Sequence, residues 1–311
     1  MVEIVKYSAK YKTTWDNFVR GSKNGTFLLR RDYMEYHAHR FTDHSLLFYR
    51  KGKLVALLPA NEEGSKIHSH GGLTYGGIIS SESMKATTML GVFEAMQLYF
   101  RQLGFTEIRY KTIPHIYHRL PAEEDLYALF RCGAILYRRD AGSVIMPANR
   151  LPYNKLRQRK LKHSGTGTLK LQQSMAFADF MQMEQELLQT KYKAAPVHTA
   201  AEITQLASLF PRNIRLYAAF AEEAMLAGII MYETETVAHC QYIGTTPAGR
   251  EAAALDALVN YLLTDVYPHK PYFDFGISTE QQGQYLNEGL ISNKESYGAR
   301  SIVHDFYKLT L

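Results

Sequence analysis

Tyr272-Phe-Asp-Phe-Gly-Ile-Ser278 and, a little further on, Gly289-Leu-Ile-Ser-Asn-Lys-Glu-Ser-Tyr-Gly298 decide how this 311-residue chain is read. The first run alternates aromatic residues about Asp274 and closes on Gly276, the pattern of a short two-faced strand. Phe273 and Phe275 share one face of that strand, so Asp274 belongs to the other. The second run predicts a helix that delivers Lys294 and Tyr297 to Gly298, and a final strand, Ala299–Leu309, follows. A strand that ends at a crevice and hands over to a helix carrying one Lys puts a cation beside whatever the crevice binds.

Upstream, the same order of elements recurs. The spacing of Met89, Val92, Phe93, Met96, Tyr99, Phe100 and Leu103 predicts a helix over Lys85–Gly104, ended by Gly104 and followed by a strand at Thr106–Tyr110. Before it stand strands at Glu3–Val5, Ser45–Tyr49, Leu54–Pro59, Lys66–His70 and Thr74–Ile79. The second half predicts helices at Lys155–His163, Ala176–Tyr192 and Ala200–Leu209. Its strands are Thr168–Gln173, Ile214–Phe220, Met225–Tyr232 and Thr236–Gly244, and a long helix over Arg250–Val266 precedes Tyr272–Phe275. Tyr75 and Tyr242, and likewise Tyr110 and Phe275, stand almost the same distance apart in sequence, which points to duplication of one α/β unit. Pro147 and Pro152 punctuate the chain between the halves, giving units 1–150 and 151–311.

Phe273-Asp-Phe-Gly276, Leu286-Asn-Glu-Gly-Leu290 and Lys294-Glu-Ser-Tyr-Gly298 together resemble the C-terminal end of the Fem-type aminoacyltransferases and related GNAT-fold acyltransferases. The resemblance implies an α/β (α+β) fold of two tandem GNAT-like units, each a mixed, mostly antiparallel sheet flanked by helices. It implies acceptor binding by the first unit, with donor binding and chemistry in the second. The activity so implied is transfer of an acyl or aminoacyl group, from acyl-CoA or aminoacyl-tRNA, to an amine acceptor such as a cell-wall or lipid-linked precursor. No sustained heptad pattern matches the coiled-coil arm that cell-wall Fem enzymes often carry, so tRNA use by way of such an arm has no support in the residues.

The same resemblance makes Lys294 the leading catalytic candidate, since an ammonium beside an activated ester stabilises the tetrahedral oxyanion. Tyr242 would position or deprotonate the amine, and Asp274 would serve as a base or as a structural hydrogen-bonding residue. The basic run Asn154-Lys-Leu-Arg-Gln-Arg-Lys-Leu-Lys-His163 offers Arg157 and Arg159 to substrate phosphates; a solvated helix face is the ordinary use of such a run. Tyr297, together with Tyr75 and His70 in the Gly-rich Ser69–Gly77 turn, is expected to line a substrate cleft, although a plain glycine-rich bulge would read the same way. Gly249 and Arg250 occupy the turn where acetyl-CoA-dependent relatives cradle pyrophosphate, but Glu251 stands where a small residue is expected.

Composition narrows the remaining choices. A hydrophobic content of 46% and a charged content of 21% describe a globular chain. The net charge of +6 is too small for a dedicated nucleic-acid binder, and no DNA partner is expected. Two isolated cysteines, no signal-like start and no apolar run near the roughly 18 residues of a membrane span point to a cytoplasmic protein without transmembrane segments. The short-spaced histidine pairs lack carboxylate or Cys partners at ligand spacing, so no metal is expected. A non-catalytic module binding a nucleotide-linked or phosphate-bearing ligand is the other reading of these features.

Overall fold

The computed structural model describes residues 1–164, 169–193 and 195–311, and the chain falls into two compact units. The first comprises Met1–Asp140, Gln281–Gln284 and Val303–Leu311; the second comprises Ala141–Glu280 and Tyr285–Ile302. The end of the last strand therefore packs with the first unit, whereas the 1–150 and 151–311 division assigns it to the second. A strand that pairs far back along the chain leaves no sign of that partner in its own sequence.

In the first unit, β1 (Val2–Lys6) is followed by α1 (Lys12–Gly21), α2 (Arg31–Met34), β2 (Thr42–Asp43), β3 (Leu46–Arg50), β4 (Lys53–Leu58), β5 (Asn61–Glu63), β6 (Lys66–His68) and β7 (Ile79–Ser80). Helix α3 (Ala86–Gln102) leads to β8 (Glu107–Lys111), then to α4 (Glu124–Arg131) and β9 (Ile135–Ile145). One sheet runs β1-β3-β4-β7, all antiparallel. In the other, β8 lies between a parallel β6 and the antiparallel end of the chain, Phe306–Thr310. The predicted apolar stripe of α3 is the one buried: Met89, Val92, Phe93, Met96 and Phe100 meet Phe48, Leu58, Ile67 and Tyr110. Leu103 departs from it and is half exposed, because the chain leaves the helix there through Gly104 at φ 84°. Thr74–Gly77 forms no strand; pairing resumes only at β7. Sequence reading did not foresee α4 or β9.

The second unit begins with the Ala141–Ile145 end of β9, continues through α5 (Lys155–Ser164), and takes up β10 (Leu169–Ser174), α6 (Phe177–Tyr192) and α7 (Ala200–Leu209). The expected start of β10 at Thr168 lies outside the described residues. Strands β11 (Ile214–Ala221), β12 (Ala224–Glu233) and β13 (Val237–Thr245) follow, then α8 (Pro247–Glu251), α9 (Ala254–Tyr261) and β14 (Tyr272–Ile277). A small hairpin of β15 (Thr279–Glu280) and β16 (Tyr285–Leu286) precedes α10 (Glu288–Glu295) and β17 (Arg300–Thr310). Strands β10 to β13 are antiparallel neighbours, while β14 joins β13 in parallel across the α8–α9 crossover.

Helix α9 covers one sheet face, where Leu258, Val259 and Leu262 meet Ile229, Met231, Ala238 and Phe273. Helix α6 covers the other. Gly228 and Gly244 have no side chain there because Phe180 and Glu184 of α6 fill the space: an added Cβ would stand 2.4 Å from the Phe180 ring and 2.9 Å from the Glu184 carboxylate. The single helix predicted over Arg250–Val266 is broken. Ala253 adopts φ 51° between α8 and α9, re-aiming the chain across β11 and β12, and the last turn, Leu262–Val266, widens to a π-turn.

Candidate active site

Strands β13 and β14 are paired over three residues only: Val237 with Tyr272, Ala238 with Phe273, and His239 with Asp274. Past that point β13 keeps β12 as its partner, with a register shift at Gln241, and β14 keeps β9, which pairs with Phe273 and Asp274 and, after a bulge, with Ile277 through Gly142. Gly276, at φ 74°, makes the turn away, and a Cβ there would press on the His239 ring at 3.3 Å. The two strands part at a vertex whose last residues are His239 and Asp274.

Those two side chains are bonded to each other. Asp274 is buried; its Oδ2 lies 2.8 Å from His239 Nδ1, and its Oδ1 accepts from the Gly276 N–H at 2.7 Å. A carboxylate on Nδ1 fixes the proton of the neutral ring there and leaves the Nε2 lone pair available, which is the arrangement of an oriented general base. Lys294 closes the other side. Asn287 caps α10 by accepting from the Leu290 N–H at 3.0 Å, and the helix then carries Lys294 inward. Its Nζ donates to the carbonyls of Gly276 (2.9 Å) and Ile277 (2.6 Å). Burial pulls the Lys294 pKa down to about 8, with Asp274 acting in the opposite direction. The predicted Lys294 and Asp274 are thus brought together; the histidine that joins them was not foreseen.

In the first unit the corresponding parallel pair is β6 with β8, and its last register partners are His68 and Arg109. An arginine replaces the carboxylate. Burial, with Arg109 adding to it and Glu63 opposing it, holds the His68 pKa low; the cross-strand partner of the histidine is thus an arginine at this vertex and a carboxylate at the vertex of the second unit.

The remaining candidates separate clearly. Tyr242 lies on the α6 face, and its hydroxyl accepts from the His198 N–H at 3.1 Å and meets His198 Nδ1 at 2.7 Å. With those bonds made, the hydroxyl is engaged and is not a base for an amine. Arg157 is tied to Asp256 and Asn293, donates to Ser296 Oγ at 2.8 Å and stacks 4.1 Å over the Tyr297 ring. Its guanidinium is thus engaged within the unit rather than set on a solvated helix face. Tyr297 is itself core: 4% exposed, stacked on Phe275, with its hydroxyl proton held more tightly than usual by burial and by Asp256. Arg159 and Arg250 are exposed.

Tyr75 is buried in the first unit with its hydroxyl on Thr26 Oγ1 (2.8 Å), and His70 is buried at φ 59° against Phe41 and His37, its pKa lowered to about 3 by burial. Neither is an open cleft residue in that unit. The Gly249 N–H donates to Thr246 Oγ1 at 2.9 Å, and an added Cβ would stand 2.1 Å from the Leu226 carbonyl oxygen. Gly249 is required by close packing on β12, with its amide used as a cap rather than offered to pyrophosphate. Gly249→Ala is expected to lower the stability of the protein by about 1–3 kcal/mol through overpacking, read as a shift in the urea midpoint. An unchanged midpoint with weakened donor affinity would restore the pyrophosphate role. Among the described residues no group of three or more His, Cys, Asp or Glu is placed to hold a metal ion, and no helix is long and apolar enough to cross a membrane.

Residues 154–285 match the family model described as an acetyltransferase (GNAT) domain. The crystal structure of FemX superposes over 99% of this chain and 97% of its own, with a TM-score of 0.67 and 9% identity. The second unit is a GNAT acyltransferase domain in a Fem-like fold. The C-terminal domain of a predicted lysylphosphatidylglycerol synthetase from Agrobacterium fabrum is similar over 97% of this chain and 92% of its own, with a TM-score of 0.63 and 10% identity. A tandem GNAT protein from the clavulanic acid biosynthesis pathway covers 100% and 98%, with a TM-score of 0.51 and 12% identity. No curated protein matches by sequence. The tandem arrangement of mixed sheets flanked by helices is that of these Fem-like structures, and the chemistry of the matched domain is acyl transfer in the broad sense.

Proposed function

We propose that this Fem-like protein transfers an acyl or aminoacyl group from acyl-CoA or aminoacyl-tRNA to an amine acceptor, by direct attack within a ternary complex at the β13–β14 vertex. The observation that carries this reading is the His239–Asp274 pair beside Lys294 at the point where the two strands separate. The donor's acyl group would enter between the parted strands, where β13 beyond His239 has no ladder partner on the β14 side among the described residues. His239 Nε2 would first take a proton from the acceptor's ammonium, freeing the amine lone pair for attack, and Asp274 would stabilise the imidazolium that forms. The amine nitrogen bonds to the carbonyl carbon, and the carbonyl electrons move onto oxygen near Lys294. Collapse re-forms the carbonyl and breaks the C–S or C–O bond to the donor, whose leaving group takes the proton from His239; the freed Nε2 then takes the excess proton from the new amide nitrogen and passes it to solvent. Proximity of the two bound substrates supplies much of the rate. The amine acceptor in this reading is a cell-wall or lipid-linked precursor; similarity to a structure titled as a lysylphosphatidylglycerol synthetase supports the lipid-linked class.

Donors are sorted by thermal shift with acetyl-CoA, longer acyl-CoAs and aminoacyl-tRNA, since a ligand of the folded state raises the melting temperature. Transfer of labelled acyl groups from the stabilising donor is then followed. Lys294→Met is expected to lower the rate about a hundredfold. The lysine charge is present below about pH 8 and lost above it, so the wild-type rate should fall as pH rises through that value. In Lys294→Arg, permanently charged, the alkaline fall should disappear. A Met variant as fast as wild type removes Lys294 from the chemistry, and a donor that binds but never turns over favours a binding module instead.

A further inference from the structure

The first unit holds a cavity of about 710 Å³ that the transfer chemistry leaves unused. That volume is in the ordinary range of ligand pockets. It lies between β1 and α3. Val2 and Ile4, two positions apart and so on one face of the strand, form one wall, and Gly91, Ala95 and Leu98 of the helix form the other. Gly91 has no side chain to fill the space, and even an added Cβ would stand 3.7 Å from Val2 Cγ2, an ordinary contact. Strand β1 is also the edge of its sheet. It pairs with β3 alone among the described residues, so its outer edge offers unpaired backbone N–H and C=O groups. Two exposed charges line the cavity, Arg50 and Glu94, and neither has an ionic partner among the described residues. Arg50 is the register partner of Val2, and its Nη1 donates to Thr88 Oγ1 at 2.6 Å, which holds the guanidinium at the Val2 end of the groove.

We infer that this groove binds the C-terminal tail of a partner protein, an extended peptide added to β1 as a further strand. Every pairing in that sheet is antiparallel. A strand added antiparallel to β1 ends beside Val2, which brings its terminal carboxylate to Arg50. The planar fork of an arginine suits a carboxylate. Helix α3 runs beside β1 in the same direction, since Thr88 and Gly91 lie at the Val2 end, whereas Tyr99 meets His44, which lies against Lys6. Glu94 stands six positions beyond Thr88, about 9 Å along the helix axis. In an extended peptide the residue two before the last faces the same way as the last and stands about 7 Å from it, with the carboxylate beyond. A lysine at that place meets Glu94. Main-chain bonds to β1 supply affinity, the carboxylate fixes the end of the chain, and the lysine sets the choice of sequence.

A fatty acid would satisfy Arg50 but lay its methylenes against the Glu94 carboxylate, which a desolvated charge opposes. The lining therefore favours a peptide. The groove lies in the first unit and uses none of His239, Asp274 and Lys294, so it stands whether or not acyl transfer occurs at the β13–β14 vertex.

Fluorescence anisotropy on the full chain tests the site with fluorescein-labelled Ser-Ala-Val-Lys-Val-Val carrying a free C-terminal carboxylate. Wild type is expected to bind it, and to bind the C-terminal amide of the same peptide about tenfold more weakly or worse, the scale of a lost charge-assisted hydrogen bond. Arg50→Gln, at an exposed position, should weaken the acid peptide by a similar factor. Exchanging the peptide's lysine for glutamate should weaken binding to wild type, and Glu94→Lys should restore it. Gly91→Leu should abolish binding without lowering the melting temperature, because leucine fills the groove and is the better helix former. The inference is overturned if wild type does not bind the peptide, if the amide binds as well as the acid, if the lysine and glutamate peptides bind alike, or if either Arg50→Gln or Gly91→Leu binds at wild-type affinity. Laurate bound by a wild-type protein that refuses the peptide would assign the groove to an acyl chain and overturn it too. Peptide binding with no acyl transfer from any donor would refute the transfer reading alone.

Discussion

Replacing His239 with Asn lowers acyl transfer by about two to four orders of magnitude, the usual contribution of a positioned general base. The side chain lies at the last paired position of β13, with Nδ1 2.8 Å from Asp274. Asn keeps a polar group of similar reach and no titratable lone pair, so the melting temperature should move little while the rate collapses. Asp274→Asn is expected to reduce the rate as well, by favouring the tautomer whose proton is on Nε2. Its loss should be accompanied by some instability, because Asp274 also accepts from the Gly276 N–H. Single-turnover assays with the stabilising donor measure both. A His239→Asn protein within threefold of wild type would end the case for this histidine as the base.

Arg157→Ala should cost about 3–5 kcal/mol of stability, the range for breaking one side of a buried ion pair. The guanidinium and Asp256 are both largely shielded, with side-chain exposures of 12% and 6%. The same fork also holds Asn293 and Ser296 of the α10 region and lies 4.1 Å over Tyr297. Losing it leaves Asp256 charged and buried without its cation, and it loosens the segment that carries Lys294. Arg157→Lys should recover little, since a point charge can neither bridge three partners in one plane nor stack on the ring. Urea unfolding followed by fluorescence gives the difference. Unchanged stability together with weaker binding of a phosphate-bearing donor would return Arg157 to the substrate-binding role suggested by its basic helix.

The candidate site was partly legible in the sequence. Lys294 announced itself by position, as a lone cation on a helix after a glycine-closed strand, and Asp274 by its alternation with Phe273 and Phe275. Arg157 and Tyr297 misled for one reason. A basic run looks like a surface until the tertiary fold lays one of its members over an aromatic ring and a buried carboxylate. Gly249 misled in a different way: a glycine kept for close packing against a strand carbonyl has the same one-letter signature as one kept for a phosphate. His239 carried no local signal. It is a single polar residue in an otherwise regular strand pattern, and its meaning depends on Asp274, a partner elsewhere.

Sequence by itself determined the elements whose cause is local. These are the apolar stripe of α3, the end of that helix at Gly104, the apolar run of β12 and the strand–glycine–helix order around Gly276 and Lys294. Period and turn chemistry act over a few residues, so they can be read there. Only the tertiary structure decided that His239 faces Asp274, thirty-five positions on. Parallel register is set by the crossover through α8 and α9 and by the packing of α9 on the sheet, not by either strand's own residues. It likewise decided that the strands part immediately beyond that pair and that α6 lays the Glu184 carboxylate against Gly244, since burial and separation are properties of packed surfaces rather than of a chain.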